Sequence, residues 1–350
     1  MPTPLHWVTT AKGLTAAELT VRAQALAQAN PDRLTFETFF RRTPGASMKV
    51  KELSQVDFRP IANHRAWGTR GVDLPEYFGS LLEASFLPIA NHFEIGEEEM
   101  QDLYELYNGN VEVYVQGTLG QQISTKVDNY VKAAKRLQQK QAVEAWLYGR
   151  IYVRNQRKQE ATITLGFDAN RFETAVTAWS DAGVNAYEEM VAFVRRSILA
   201  GTNAVGLKLS TKALGHIQAD APRSILNPNE QPGVDTLIDM VKSRLGLGRF
   251  GFVTDDTFYH AEDGTQVRYW PESHVAVIPD GIYVGESRYA TIVRARQLAA
   301  QVPEAKITQD DVAVFYEGEN GGKNLSVETQ LNAYAWPIER NVFVVNTGIS

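Results

Sequence analysis

The residues that could do chemistry in this chain stand in no catalytic pattern. Gly246-Leu247-Gly248-Arg249-Phe250-Gly251 spells a dinucleotide fingerprint, but its flanks are inverted, with helical periodicity before it and strand-like sequence after. Pyrophosphate binding needs strand, loop, then helix, so that the phosphates meet a helix N-terminus. A helix-to-strand turn is expected instead. Gly321-Gly322-Lys323-Asn324 matches the end of a phosphate loop, yet Glu317 stands where the first glycine belongs and Asn324 where a hydroxyl would hold magnesium. It reads as a loop. The histidines His6, His64, His92, His216, His260 and His274 lack metal-ligand spacing. His64 and His92 could approach across a ribbon, but a pair without a third ligand is a poor zinc site. Asp255-Asp256 and Asp310-Asp311 are sequence neighbours that a strand would turn to opposite faces, so they read as turn or surface residues rather than a catalytic dyad. With no cysteine there is no Cys–His pair, thiolate site or disulfide framework, and no G-x-S-x-G elbow occurs. No catalytic residue, metal or cofactor is expected, and the chain reads as a non-enzyme. The remaining enzyme reading places a site in residues 176–320.

The elements behind these residues follow from periodicity. Residues 121–148 carry the strongest helix signal: Ile123, Val127, Tyr130, Ala134, Leu137 and Gln141 recur at spacings of three and four, and Gly149 stands at the C-terminal cap position. Thr15-Ala16-Ala17-Glu18 matches a capping box ahead of an Ala/Leu-rich run that Asn30-Pro31 ends. This predicts a short helix on an otherwise extended N-terminal arm. Ile151–Val153 and Ala161–Leu165 predict a hairpin. Residues 176–320 read as a mixed α/β unit, with helices over 186–200 and 234–245, strands over 204–209 and 275–278, and a tight turn at Asp263-Gly264. Residues 327–345 are strand-like and must return to an earlier sheet.

Residues 56–95 stand apart. Pro60-Ile61-Ala62-Asn63-His64 recurs as Pro88-Ile89-Ala90-Asn91-His92. In the second arm Leu87, Ile89, Asn91, Phe93 and Ile95 fall on one face, which is strand period. A proline in each arm suits edge strands. The expectation is a long two-stranded ribbon. An isolated hairpin is marginal in water, so the ribbon should lie on another surface, with Trp67, Tyr77, Phe78, Phe86 and Phe93 as candidate contacts to a neighbouring subunit.

The formal net charge of −6 argues weakly against a dedicated nucleic-acid binder. Between Val72 and Gly120 there are ten acids and no Lys or Arg, including Glu97-Glu98-Glu99, which reads as the acidic first turn of a helix. A basic stretch follows, from Lys126 to Lys158. Blocks of opposite sign suit contacts between identical subunits, although solvated faces would produce the same pattern. No apolar run of about 18 residues predicts a transmembrane helix. Met1–Thr10 lacks a signal-peptide plan, and the absence of cysteine is compatible with a reducing cytoplasm.

Several segments in order resemble the major capsid proteins of tailed phages, in the lambda-like branch of the Hong Kong 97 capsid fold. These are Phe36–Arg42 at the start of the arm, Lys51-Glu52-Leu53-Ser54-Gln55 leading into the ribbon, Glu144-Ala145-Trp146-Leu147-Tyr148-Gly149-Arg150-Ile151, Thr162–Asp168, and Val277-Ile278-Pro279-Asp280-Gly281. The resemblance implies an α+β fold with an N-terminal arm (1–55), an extended β-hairpin loop (56–95), a peripheral domain (96–175) with a spine helix (121–148), an α/β axial domain (176–324) and a strand returning to the peripheral domain (325–350). It further implies pentamers and hexamers closing into an icosahedral shell around double-stranded DNA, a separate scaffolding protein, a portal and a possible decoration protein. No membrane is involved, and the place of the protein is the virion capsid, after assembly in the host cytoplasm. A cargo-holding, encapsulin-like nanocompartment shares the fold and is the alternative. Some relatives join their shells by a Lys–Asn isopeptide bond from the extended loop. This chain has no lysine between Ala66 and Ile95, so no such bond is expected there.

Overall fold

The computed structural model describes residues 14–30, 32, 34–46, 49–53, 81–85, 88–96, 120–154, 160–223, 230–261, 263–281, 283–319 and 324–349. In chain order the main elements are α1 (Ala16–Ala29), α2 (Phe36–Phe39), β1 (Phe40–Ala46), β2 (Lys49–Leu53), β3 (Leu81–Ser85), β4 (Ile89–Ile95), α3 (Gly120–Tyr148), β5 (Arg150–Arg154) and β6 (Glu160–Thr164). There follow β7 (Phe172–Thr174), α4 (Ala186–Leu199), β8 (Ala204–Leu209), α5 (Thr211–Asp220), α6 (Val234–Leu245), β9 (Phe252–Thr254), β10 (Phe258–His260) and β11 (Gln266–Arg268). The chain ends with β12 (His274–Pro279), β13 (Gly285–Ala290), α7 (Val293–Gln301), β14 (Ala313–Glu319), β15 (Asn324–Leu331), β16 (Ala333–Pro337) and β17 (Val344–Asn346). The fold is α+β, with short sheets arranged around one long helix.

That helix is α3, about 44 Å long at 1.5 Å per residue. It is sustained by two separate cores along its length. Its first half buries Ile123, Val127, Val131 and Ala134 against Leu19, Ala23 and Ala27 of α1, Ile89, Phe93 and Ile95 of β4, and Val327 of β15. Its second half buries Ala142, Ala145, Trp146 and Leu147 against Phe39, Phe40, Trp270, Ala276 and Trp336. The buried face departs from the predicted stripe. Leu137 is exposed and Tyr130 half-buried, whereas the polar Lys135, Gln138 and Gln139 are buried. Apolar periodicity cannot register polar side chains that go inside with hydrogen-bond partners. Gly149 ends the helix at φ +59°, where only glycine sits without strain, and its carbonyl accepts from Leu165 N at 2.8 Å, tying helix end to hairpin.

The third core belongs to the α/β unit. A five-stranded sheet of order β7-β17-β12-β8-β9 packs Leu207, Leu209, Val275, Val277 and Val345 against Tyr187, Met190 and Phe193 of α4, Leu214 and Ile217 of α5, and Leu237 and Val241 of α6. Strand β12 is buried along its whole length. Val275 and Val277 face this core, while Ala276 and Ile278 face the core under α3. One strand thus separates two cores, so the α/β unit and the helical layer share a wall.

Three features depart from the sequence expectations. First, the N-terminal helix, expected on an otherwise extended arm, is docked in the subunit's own core. The capping box forms as predicted, with Glu18 N donating to Thr15 Oγ1 at 3.2 Å, but Leu19, Ala23 and Ala27 are fully buried in the subunit's own core. Gln24 donates to the carbonyls of Thr308 and Val312. Second, the second Pro-Ile-Ala-Asn-His copy is built into a strand of the subunit's own sheet. Strand β4 pairs antiparallel with β15, from Ile95 opposite Leu325 to Ile89 opposite Leu331. Its apolar face, Ile89, Phe93 and Ile95, packs with Val327 of β15 and Val314 of β14 against α1 and α3. Third, the tail returns in three steps rather than one. β15 pairs with β4, β16 lies beside β13, and β17 enters the five-stranded sheet between β7 and β12.

Candidate assembly surface and its buried anchor

The stem of the ribbon is β2 with β3, antiparallel from Lys49 opposite Ser85 to Leu53 opposite Leu81. Among the described residues it is a two-stranded sheet of its own. The segment between the strands, residues 54–80, contains Trp67, Tyr77, Phe78 and His64 and lies outside the described residues, as does Phe86. Phe93, the fifth candidate contact, is corrected. It is 8 % exposed and packs inside its own subunit, with its ring 5.8 Å from Tyr130 and the Lys126 ammonium 4.8 Å above it. The strand alternation that marked Phe93 also turns it inward beside Ile89 and Ile95. His92 faces solvent opposite Glu328; its expected partner across the ribbon, His64, lies outside the described residues. Among the described residues no cluster of His, Asp or Glu is arranged to hold a metal ion, and no helix is long and apolar enough to cross a membrane.

The remaining motifs fall as follows. Gly246 caps α6 at φ +66° and the chain passes on to β9, the predicted helix-to-strand turn. Asp263-Gly264 makes the turn between β10 and β11. Gly321–Lys323 and Glu97–Glu99 lie outside the described residues. The two Asp pairs are only half as expected. Asp256 and Asp310 are surface partners of Arg268 and Thr291, but Asp255 and Asp311 are buried. Each lies beside a cation that sequence reasoning did not connect to it.

Asp255 meets Lys208 at the junction of arm, long helix and α/β unit. Lys208 lies on β8 between Leu207 and Leu209, so its side chain leaves the opposite face of the sheet and enters the core under α3. Its Nζ donates to Asp255 Oδ2 at 2.6 Å, and the two side chains are 1 % and 0 % exposed. Nζ also donates to Thr35 Oγ1 at 2.9 Å and stands 4.7 Å from the ring centre of Phe39 and 5.0 Å from that of Trp270. Burial pushes Lys208 below the usual lysine range, with Asp255 opposing it. Burial alone would raise Asp255, but the Lys208 ammonium and the hydroxyls of Thr257 and Thr35 hold it below the usual carboxylate range. The carboxylate is therefore charged, which is the only state that satisfies its neighbours.

A second network ties the arm to β13. Arg42 Nη2 donates to Asp311 Oδ2 at 2.7 Å and its guanidinium lies 4.4 Å over the ring of Tyr289. Lys135 donates to Glu37 Oε1 at 2.9 Å and to Tyr289 Oη at 3.0 Å. Gln138 donates to Ser287 Oγ at 2.6 Å. These residues are joined in closed contacts. Together they join the arm, α3 and β13.

Phage capsid proteins recur among the solved structures similar to this chain. A phage-related protein from Bordetella bronchiseptica RB50 is 14 % identical, with 94 % of this chain and 97 % of that one covered at a TM-score of 0.48. The capsid of Myoviridae phage XM1 is 14 % identical, with 89 % and 90 % covered at a TM-score of 0.46. The capsid of cyanophage A-1(L) is 12 % identical, with 90 % and 91 % covered at a TM-score of 0.44. No family model matches the sequence, and no curated protein does.

One titration in this region has a measurable consequence. His274 opens β12, 8 % exposed, with its ring 5.2 Å from that of Tyr148 and Nδ1 3.0 Å from Ser273 Oγ. Burial pushes its pKa from 6.5 down to about 4. The unfolded chain takes up a proton near pH 6.5, and the fold resists it until about pH 4. Stability therefore falls as pH drops through that window, by at most about 3 kcal/mol from this group. His274→Gln is expected to flatten the difference between urea midpoints measured at pH 7 and pH 4.5. An unchanged difference would show that His274 titrates normally.

Proposed function

We propose that this chain is the major capsid protein of a tailed double-stranded DNA bacteriophage, with a Hong Kong 97-type fold, assembling as pentamers and hexamers into an icosahedral shell. The observation that carries the reading is the ribbon stem. β2 and β3 pair with each other and with no further strand among the described residues. Two strands alone are marginally stable in water, so the ribbon gains its order from a second surface, and a neighbouring copy provides one. Trp67, Tyr77, Phe78 and Phe86 supply the aromatic contacts that such an interface needs. Contacts too weak to hold two subunits reinforce one another around a closed lattice through effective concentration.

In this reading the protein acts mechanically and not as an enzyme. The expected partners are a separate scaffolding protein during assembly in the host cytoplasm, a portal and a possible decoration protein, and any contact with the enclosed DNA is non-specific and salt-sensitive. The test is electron microscopy and size-exclusion chromatography of the full chain, produced alone and with the products of its neighbouring genes. Capsomers or closed shells are expected, with uniform shells only in the second case. A discrete monomer under both conditions would refute the reading. Uniform shells that enclose an enzyme instead of DNA would move it to the nanocompartment alternative. Denatured shells are expected to run as single subunits on a gel, since residues 66–95 contain no lysine to form a cross-link.

A further inference from the structure

We infer that the Lys208–Asp255 pair is a socket for Thr35, a latch that holds the N-terminal arm in one register against the long helix and the α/β unit. Both charged partners belong to the α/β unit, Lys208 on β8 and Asp255 just beyond β9. The arm contributes a single hydroxyl. A threonine hydroxyl has one proton to donate and two lone pairs to accept with, and all three are in use. Thr35 Oγ1 donates to Asp255 Oδ2 at 2.8 Å, accepts from Lys208 Nζ at 2.9 Å and accepts from Gln139 Nε2 of α3 at 3.1 Å. The other end of the Gln139 amide accepts from Phe36 N at 2.8 Å, so the arm's backbone is read as well. Three segments far apart in sequence thus meet on one oxygen atom. Phe39 completes the socket, with its ring 5.1 Å from Trp146 and facing the ammonium.

A buried ion pair is a weak source of net stability and is often replaceable by apolar residues of similar volume. What this pair supplies is position. Slippage of the arm would take one hydrogen-bond partner at once from a buried ammonium, a buried carboxylate and a buried amide, and a lost hydrogen bond is costly where water cannot replace it. The latch therefore has one closed state.

The test does not depend on shell formation and uses the full chain. Hydrogen exchange is measured on the amides of residues 36–42, with those of 204–209 and 274–279 as the internal reference. Thr35→Val keeps the shape and removes the hydroxyl. It is expected to speed exchange in 36–42 by about tenfold while the reference strands stay protected, the signature of local opening. Thr35→Ser restores the hydroxyl and is expected to restore protection. The double variant Lys208→Met/Asp255→Leu empties the socket of charge and is expected to loosen the arm in the same way. Protection of 36–42 at the wild-type level in Thr35→Val would overturn the inference. So would equal loosening of arm and reference strands, which would make the cluster a general stabiliser. If the double variant does not fold, the Val and Ser variants decide alone.

Discussion

A variant in which residues 54–80 are replaced by a two-residue Asn-Gly turn is expected to fold normally and to form no shells. The stem register places Leu53 opposite Leu81, and Asn-Gly in a type I′ turn closes two antiparallel strands there without splaying them. Among the described residues the buried cores are assembled without 54–80, so the thermal midpoint is expected to stay close to that of the full chain. Assembly should disappear altogether, because a lattice contact repeated around every subunit is removed at once. The checks are a melting curve for folding and electron microscopy, with scaffold present, for shells. Wild-type-like shells from this variant would end the capsid reading in its present form. Alanine at Trp67, Tyr77, Phe78 and Phe86 one at a time should weaken assembly unequally, since a few aromatic residues carry most of the energy of an interface.

The second large effect is expected at Trp146. Trp146→Ala should destabilise the subunit by about 3–5 kcal/mol, the usual cost of removing a fully buried large aromatic side chain. Trp146 is 2 % exposed and lies where α3, the arm and the loop before β12 converge, with ring centres at 5.1 Å to Phe39, 6.4 Å to Phe40 and 5.3 Å to Trp270. Rigid rings on three sides cannot collapse into the space left behind. A loss of that size is a large share of an ordinary domain's stability of about 5–15 kcal/mol, so the variant should be partly unfolded at modest urea concentrations. Leu137→Ala, on the exposed side of the same helix, is the control and should change stability by less than about 1 kcal/mol. A loss below about 1 kcal/mol at Trp146 would mean that the junction repacks freely and does not brace the arm.

The local elements were open to reading because the signals behind them are local. The helix over 121–148 is α3 with one residue added, and 234–245 is α6, since stripe and cap lie within one segment. The strand over 204–209 is β8, and the turn at Asp263-Gly264 sits where Gly264 takes φ +82°. The repeat at 60–64 and 88–92 misled for the opposite reason. Identical pentapeptides suggested two arms of one ribbon, but a strand's partner is decided by distant backbone. β4 found β15, and the stem formed instead from Lys49–Leu53 and Leu81–Ser85.

By itself the sequence determined the long helix and its glycine stop, the helices and strands of the α/β unit, the absence of cysteine chemistry, and an aromatic segment with little apolar sequence of its own. Periodicity, caps and composition act within a few turns of chain and need no distant partner. Tertiary structure alone decided that the N-terminal helix docks on its own subunit, that Phe93 turns inward, and that Lys208, Asp255 and Gln139 are buried around Thr35. A charge can leave water only where its counter-charge and hydrogen-bond partners already wait. Those partners stand 173 and 220 residues from Thr35 along the chain, a distance that only the folded molecule brings within 3 Å.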